Sequence, residues 1–203
     1  TVDNDGDGYN WERMVYTPNG ISAHSGIACA ISRSYINNGE IPLNPDNYLI
    51  TPALQIPSGN YEANLSYWIA NQDSDFPDTY EVWVSTTGTD PADFTQKLIT
   101  ETPGGDWTEK TFPLNDYLGQ TIYIAFVHMN SYDRFIIKLD DVEVTVTYTV
   151  GINENSVETI NVYPNPVRDV LNIESPAAIL TISVQDMNGK QLISLSGTGN
   201  AID

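Results

Sequence analysis

"TYEVWVSTTG" occupies residues 79–88, and its reading decides the fold. Tyr80, Val82 and Val84 alternate with Glu81, Trp83 and Ser85, a period of two that puts the first three on one face of a strand. Outward from it lie "NYEANLSYWIA" (60–70), "TIYIAFVHM" (121–129) and "FIIKLDDVEVTVTYTV" (135–150), all rich in residues that fit a pleated, half-buried surface. Gly, Pro, Asp and Asn punctuate the intervals, with loop tips at "NQDSDFPDT" (71–79) and "TPGGDW" (102–107). No helical period of apolar residues is sustained anywhere. The prediction is an all-β chain, a jelly-roll or other β-sandwich.

The 203 residues divide into a sandwich over 1–150, a polar linker over 151–159 ("GINENSVET") and a second module over 160–203. In the second, "INVYPNPVRDVLNIE" (160–174) and "LTISVQDMNGKQLIS" (180–194) read as short strands, with Asn188-Gly189 as a hairpin turn. So few residues bury little apolar surface unaided, and this module is expected to be incomplete. The chain starts without a Met and reads as a piece of something longer, with any signal peptide upstream. It carries 27 acidic and 8 basic residues, a net charge of −19. Such a balance repels nucleic acid and anionic membrane surfaces. No run of about 20 apolar residues is present, so membrane insertion is not expected. Cys29, alone in "GIACAIS", is expected to be a buried, inert thiol.

The N-terminus opens "TVDNDGDGYNW", in which Asp3, Asp5 and Asp7 alternate with Asn4 and Gly6 before Gly8. Calcium takes about six to eight oxygens, and glycines allow the tight curl that presents several carboxylates together. An EF-hand is excluded: its twelfth position, counted from Asp3, holds Met14, and Glu12 comes too early. Zinc is poorly supplied by Cys29, His24 and His128, and magnesium demands stricter geometry. A solvated acidic turn is the plain alternative. Remaining ligands must come from afar, and "LDDVEV" (139–144) is the best donor. Adjacent aspartates on a strand face opposite sides, so Asp140 or Asp141 enters such a site, not both.

The C-terminal segment resembles the sorting domain of the type IX secretion system of Bacteroidetes, through "VYPNPVRDVLNIE" and "ISVQDMNGKQLIS". Such domains are small immunoglobulin-like sandwiches that route cargo across the outer membrane. The N-terminal module resembles the cleaved-adhesin, or choice-of-anchor J, domain of surface proteases and haemagglutinins. "DNDGDGYNW", "NPDNYLITPALQI" (44–56), "YEVWVSTTG" (80–88), "YLGQTIYIAFVH" (117–128) and "LDDVEV" carry that likeness. The resemblance implies a non-catalytic, calcium-stabilised jelly roll, with its last strand beside the N-terminal loop. On that basis the expected Ca2+ ligands are Asp3, Asp5, Asp7 and Asp141, with the Tyr9 carbonyl.

Catalytic alternatives are weak. His24 lies near Ser22 and Ser25 without any G-x-S-x-G, and His128 reads as a strand-end packing residue. Asp73, Asp75 and Asp78 form a second acidic loop that reads as solvated. Among the aromatics, Trp68 and Trp83 are strand residues, whereas Phe76, Trp107 and Tyr132 fall in loops and are the ligand-binding candidates. The expected function is that of a secreted or outer-membrane cell-surface adhesin module, not an enzyme. It binds glycans or host extracellular proteins and is exported by the type IX secretion machinery. The alternative is a ligand-free structural accessory domain of a larger surface protease or hydrolase.

Overall fold

In the computed structural model residues 1–16, 20–37, 39–149, 160–176 and 178–199 are described; the linker expected at 151–159 lies outside them. The first half of the sandwich comprises β1 (Val2–Asp3), β2 (Glu12–Val15), β3 (Ala28–Arg33), β4 (Tyr35–Ile36), β5 (Ile41–Pro42), β6 (Asn47–Ile50) and β7 (Leu54–Gln55). The second comprises β8 (Tyr61–Asn71), β9 (Tyr80–Ser85), β10 (Gln96–Glu101), β11 (Thr108–Pro113), β12 (Thr121–His128) and β13 (Ile136–Tyr148). Two large antiparallel sheets result, ordered β1-β6-β12-β9-β10 (with β7 also on β12) and β11-β8-β13-β3-β2, and β4 pairs with β5 in a separate small one. The only helical turns among the described residues are 3-10, at Pro91–Asp93 and Asn115–Tyr117. The strands form a jelly-roll sandwich.

Alternation builds the core as the sequence predicts. Tyr80, Val82 and Val84 of β9 meet Leu65, Tyr67 and Ile69 of β8, with Ile122, Ile124 and Phe126 of β12. Each such aliphatic side chain contributes roughly 1.5–3 kcal/mol on burial. The two phenols face each other at 2.9 Å, and burial pushes both well above the ordinary phenol range. Trp83 takes the opposite face of β9, where Phe94 seals Ala125 and Val127 beneath a partly buried apolar layer. Cys29 is buried, and burial raises its thiol pKa.

Register fixes what gathers at one end. Asp3, Asn47, His128 and Tyr80 are consecutive partners across the first sheet. The N-terminal acidic loop, the 72–79 loop and the 129–135 loop therefore leave the sandwich from the same edge.

The chain forms two compact units, Thr1–Val150 and Gly151–Asp203. In the second unit β14 (Asn161–Tyr163) pairs with β15 (Asn172–Glu174), and β16 (Ile179–Gln185) with β17 (Gln191–Gly199). The Asn188-Gly189 turn forms as predicted: Gly189 takes φ +83°, and Asp186 Oδ1 accepts from the Asn188 and Lys190 N–H groups. Large apolar side chains such as Leu180, Leu192 and Ile193 are exposed.

Candidate metal centre and binding groove

One carboxylate oxygen from each of Asp3, Asp5 and Asp7 lies within 4.8 Å of the others. The curl is held by its own backbone. Asp3 accepts from the Gly6 and Gly8 N–H groups at 2.8 and 2.9 Å, and Asp7 accepts from Tyr9 N–H at 2.7 Å. Gly6 and Gly8 have φ of +73° and +87°, which L side chains rarely adopt. The Asp5 carboxyl is pushed above its ordinary value by burial and then by Asp3, while Asp3 is held below its own chiefly by that same contact.

The fourth carboxylate at this loop is Asp46, which no sequence argument selected. Its N–H donates to Asp5 Oδ2 at 3.0 Å, and its Oδ2 accepts from Asn4 Nδ2 at 2.6 Å. Its Oδ1 is shielded from solvent and lacks a hydrogen-bond partner. Its carboxylate lies outside the trio of oxygens gathered within 4.8 Å, but it adjoins the loop through these contacts, and an orphaned carboxylate oxygen suits a hard cation. "NPDNYL" was visible in the sequence, but only the β1–β6 pairing brings Asp46 there.

Asp141 is not brought to this loop. The β13 register shifts against β8 between Asp140 and Glu143, and Asp141 sits in the bulge at φ +47°. The alternation that would turn the two aspartates to opposite faces is thereby broken. Asp141 binds His24 Nδ1 and Ser25 Oγ, each at 2.6 Å, while Asp140 Oδ2 accepts from the His24 and Ser25 N–H groups. Those hydrogen bonds, from His24 first and then Ser25, hold the Asp141 carboxyl below its ordinary value. Both aspartates thus fasten the 20–27 loop to β13.

That arrangement also accounts for His24. Its ring stacks on Trp68 at 3.7 Å, and its Nδ1 faces Asp141 rather than a serine nucleophile. Trp107 stands edge-on to the same ring at 5.9 Å and carries the Lys138 ammonium over its face at 5.0 Å. It packs against the Cys29–Ile31–Ile136 cluster and is partly buried, unlike the freely exposed loop aromatic expected. Phe76 and Tyr132 are exposed, as predicted.

A buried polar layer underlies the loop end. His128 is fully buried, its Nδ1 2.8 Å from Ser32 Oγ and its Nε2 3.1 Å from Asp78 Oδ1. Asp78, expected to be solvated, is fully buried, because Ser34 Oγ donates to its carboxylate and Asn71 Oδ1 accepts from its N–H. Ser34 Oγ in turn accepts from Arg134 N–H at 3.1 Å, and Asn47 Nδ2 reaches Ser32 Oγ at 3.3 Å. Above this layer opens a groove of about 400 Å³, lined by Tyr35, Asn37, Asp73, Phe76, Asp133, Arg134 and Phe135.

The loop end of this jelly roll thus carries an acidic curl and an open groove, while His128 with Ser32 and Asp78 is sealed beneath it and His24 Nδ1 is taken by Asp141. Comparison with known proteins names the kind of domain this is. Residues 1–144 match the Cleaved Adhesin Domain family, and the chain belongs to it. Residues 161–202 match the Secretion system C-terminal sorting domain. Hemagglutinin A of Porphyromonas gingivalis is 37% identical over 176 residues, which are 73% of this chain and 6% of that protein. Lys-gingipain of the same species is 38% identical over 160 residues, 71% of this chain and 9% of that protein. The chain thus spans less than a tenth of either relative. The solved K1 cleaved adhesin domain of Lys-gingipain matches with TM-score 0.64 and 36% identity, over 71% of this chain and 88% of that one. The K3 domain matches with TM-score 0.61 and 37% identity, over 71% and 87%. These are adhesin domains, separate from the protease, and this domain is likewise non-catalytic. Sorting domain and adhesin domain together mark a secreted, cell-surface protein that uses the type IX secretion machinery.

Proposed function

We propose that the sandwich is a calcium-stabilised adhesin module that binds glycans or host extracellular proteins through its loop end. Calcium would be held by Asp3, Asp5, Asp7 and Asp46; the Tyr9 carbonyl, next along the loop, is a further donor. The ion would neutralise the carboxylates of Asp3, Asp5 and Asp7, whose oxygens lie within 4.8 Å of one another, and so lock the loop leaving β1. The observation that carries the proposal is the continuity of this loop with the groove. Asp46 precedes Asn47, which reaches Ser32, then His128, Asp78, Ser34 and Arg134 by successive polar contacts. A cation at one end would rigidify the layer on which the binding loops stand.

One relative is named a hemagglutinin, so erythrocyte ghosts are the first surface to try. Saturable binding of the full chain to ghosts, weakened by EDTA and restored by calcium, is the expected result. A ligand-free accessory role is the second reading, favoured by the small share of each relative that the domain occupies. Absence of binding to ghosts and to immobilised extracellular-matrix proteins at saturating calcium would leave that second reading standing instead.

A further inference from the structure

Eight basic residues face 27 acidic ones in this chain. Arg33 holds Glu12, Lys97 holds Glu81 and Lys110 holds Glu101. Arg134, like Arg13, Lys138, Arg168 and Lys190, forms no ion pair among the described residues, and it alone of these lines the groove, together with Asp73 and Asp133. Its position is nonetheless fixed. Its own N–H is bound by buried Ser34, and the next residue, Phe135, accepts from Ser34 N–H at 3.0 Å. The preceding Asp133 donates its N–H to the Leu43 carbonyl and takes φ +52°. Asn130 of the same loop takes φ +56°, and buried Ser131 accepts from Thr79 N–H at 2.8 Å. Non-glycine residues held at positive φ by surrounding structure are a feature of ligand-binding loops.

The lining combines two chemistries. Tyr35, Phe76 and Phe135 offer apolar ring faces, and Phe76 is 52% exposed. Asn37, Asp73, Asp133 and Arg134 offer planar donors and acceptors around them. A pyranose matches both: its axial C–H face covers an aromatic ring, and its adjacent hydroxyls each donate to a carboxylate while accepting from a guanidinium. The formal charge of the lining is −1, within a chain of −19, which disfavours sulfated, phosphorylated and uronic sugars. At about 400 Å³ the groove lies toward the small end of ligand sites.

We propose that this groove is a subsite for an uncharged pyranose, with Phe76 as its stacking face and Arg134, Asp73 and Asp133 as its hydroxyl partners. The assignment rests on the adhesin reading and names the ligand class of its loop end.

The test is a titration of the isotope-labelled full chain, followed by NMR, with the methyl glycosides of glucose, galactose, mannose and N-acetylglucosamine. Methyl glucuronide is the charged comparison. At least one neutral glycoside should give saturable shifts centred on residues 73–76 and 133–135. Phe76→Ala and Arg134→Ala should each weaken it by about tenfold, with unchanged melting temperature, and Arg134→Lys should recover only part of the loss. Silence across the neutral panel overturns the proposal, as do shifts centred elsewhere, indifference to both alanine variants, or tighter binding of the glucuronide. Ghost binding measured in parallel separates the two levels. A chain that holds ghosts but ignores every glycoside refutes the groove and spares the adhesin reading. Glycoside binding without ghost binding does the reverse.

Discussion

Calcium should raise the melting temperature of the first unit by an amount that mass action fixes. Among the described residues one such site is gathered, so stabilisation follows the single-site form and reaches about 2.7 kcal/mol at a hundredfold excess over Kd. For a unit spanning Thr1–Val150, each kcal/mol moves Tm by roughly 2–4 °C, giving a rise of roughly 5–11 °C. Above Kd, each further decade of free calcium should add about 1.4 kcal/mol, or roughly 3–6 °C. Differential scanning calorimetry over a calcium series, with EDTA as baseline, measures the slope. Asp5→Asn should flatten it while melting no lower than wild type in EDTA, because the burial and the Asp3 contact that push its carboxyl up make the ionised form unfavourable without a cation. Asp46→Asn should also reduce the slope, whereas Asp141→Asn should leave it intact. A flat wild-type response would refute a calcium role for the loop. A slope lost in Asp141→Asn but kept in Asp46→Asn would refute the ligand set.

Asp141→Asn should instead show a pH-dependent stability loss. The Asp141 carboxyl is held below its ordinary value of 3.8, so its stabilisation is complete above that value and disappears as pH falls through the lower folded one. The Tm difference from wild type should therefore be present at pH 7 and vanish in strong acid; a constant difference would contradict the assignment. Asp78→Ala removes the buried acceptor of Ser34 Oγ and the carboxylate beside His128 Nε2, and should cost about 1–3 kcal/mol in chemical denaturation; no measurable loss would count against a structural role for this contact. Gly8→Ala meets no atom within 4 Å, so its cost should be conformational only, about 1 kcal/mol by the same assay, together with weaker calcium binding.

What the sequence disclosed follows from range. Tyr80, Val82 and Val84 were legible as a core face because alternation is a local property of a strand. The Asn188-Gly189 turn and the Asp3–Gly8 curl were legible for the same reason: Asx side chains and glycines act on their immediate neighbours. Asp46 was not, since it meets Asp5 only through pairing of strands more than 40 residues apart in sequence. Asp141 was misplaced because a bulge leaves no clear mark in "LDDVEV" and reverses the face argument. Asp78 sat in a polar string that looked solvated, yet its partners Ser34 and His128 come from other strands and loops. Trp107 looked exposed after "GGD" because nothing nearby in sequence announces His24 and Lys138 above its ring.

Those long-range partners share one location, and that bears on what the domain was built to do. A sandwich of this size could close its loop end with apolar residues, as its centre does. Instead the row beneath the loops holds Asn47, His128, Asp78, Ser34, Ser32 and Asn71, all buried. Buried polar groups add little net stability over an apolar replacement, but each accepts a partner in only a few geometries. Here those partners are backbone groups of the surface loops themselves: Arg134 N–H on Ser34, Thr79 N–H on Ser131, and the Pro103 carbonyl with Asn71 Nδ2. The layer thus specifies loop conformation more than it contributes free energy. A site whose supports are locked this way loses little entropy when a weak ligand arrives. Replacing His128 and Asp78 together by a volume-matched apolar pair, with Ser32→Ala and Ser34→Ala to remove the hydroxyls they would strand, separates the two roles. Stability should survive, while any ligand affinity of the loop end should fall; equal loss of both would mean that the layer is only a part of the core.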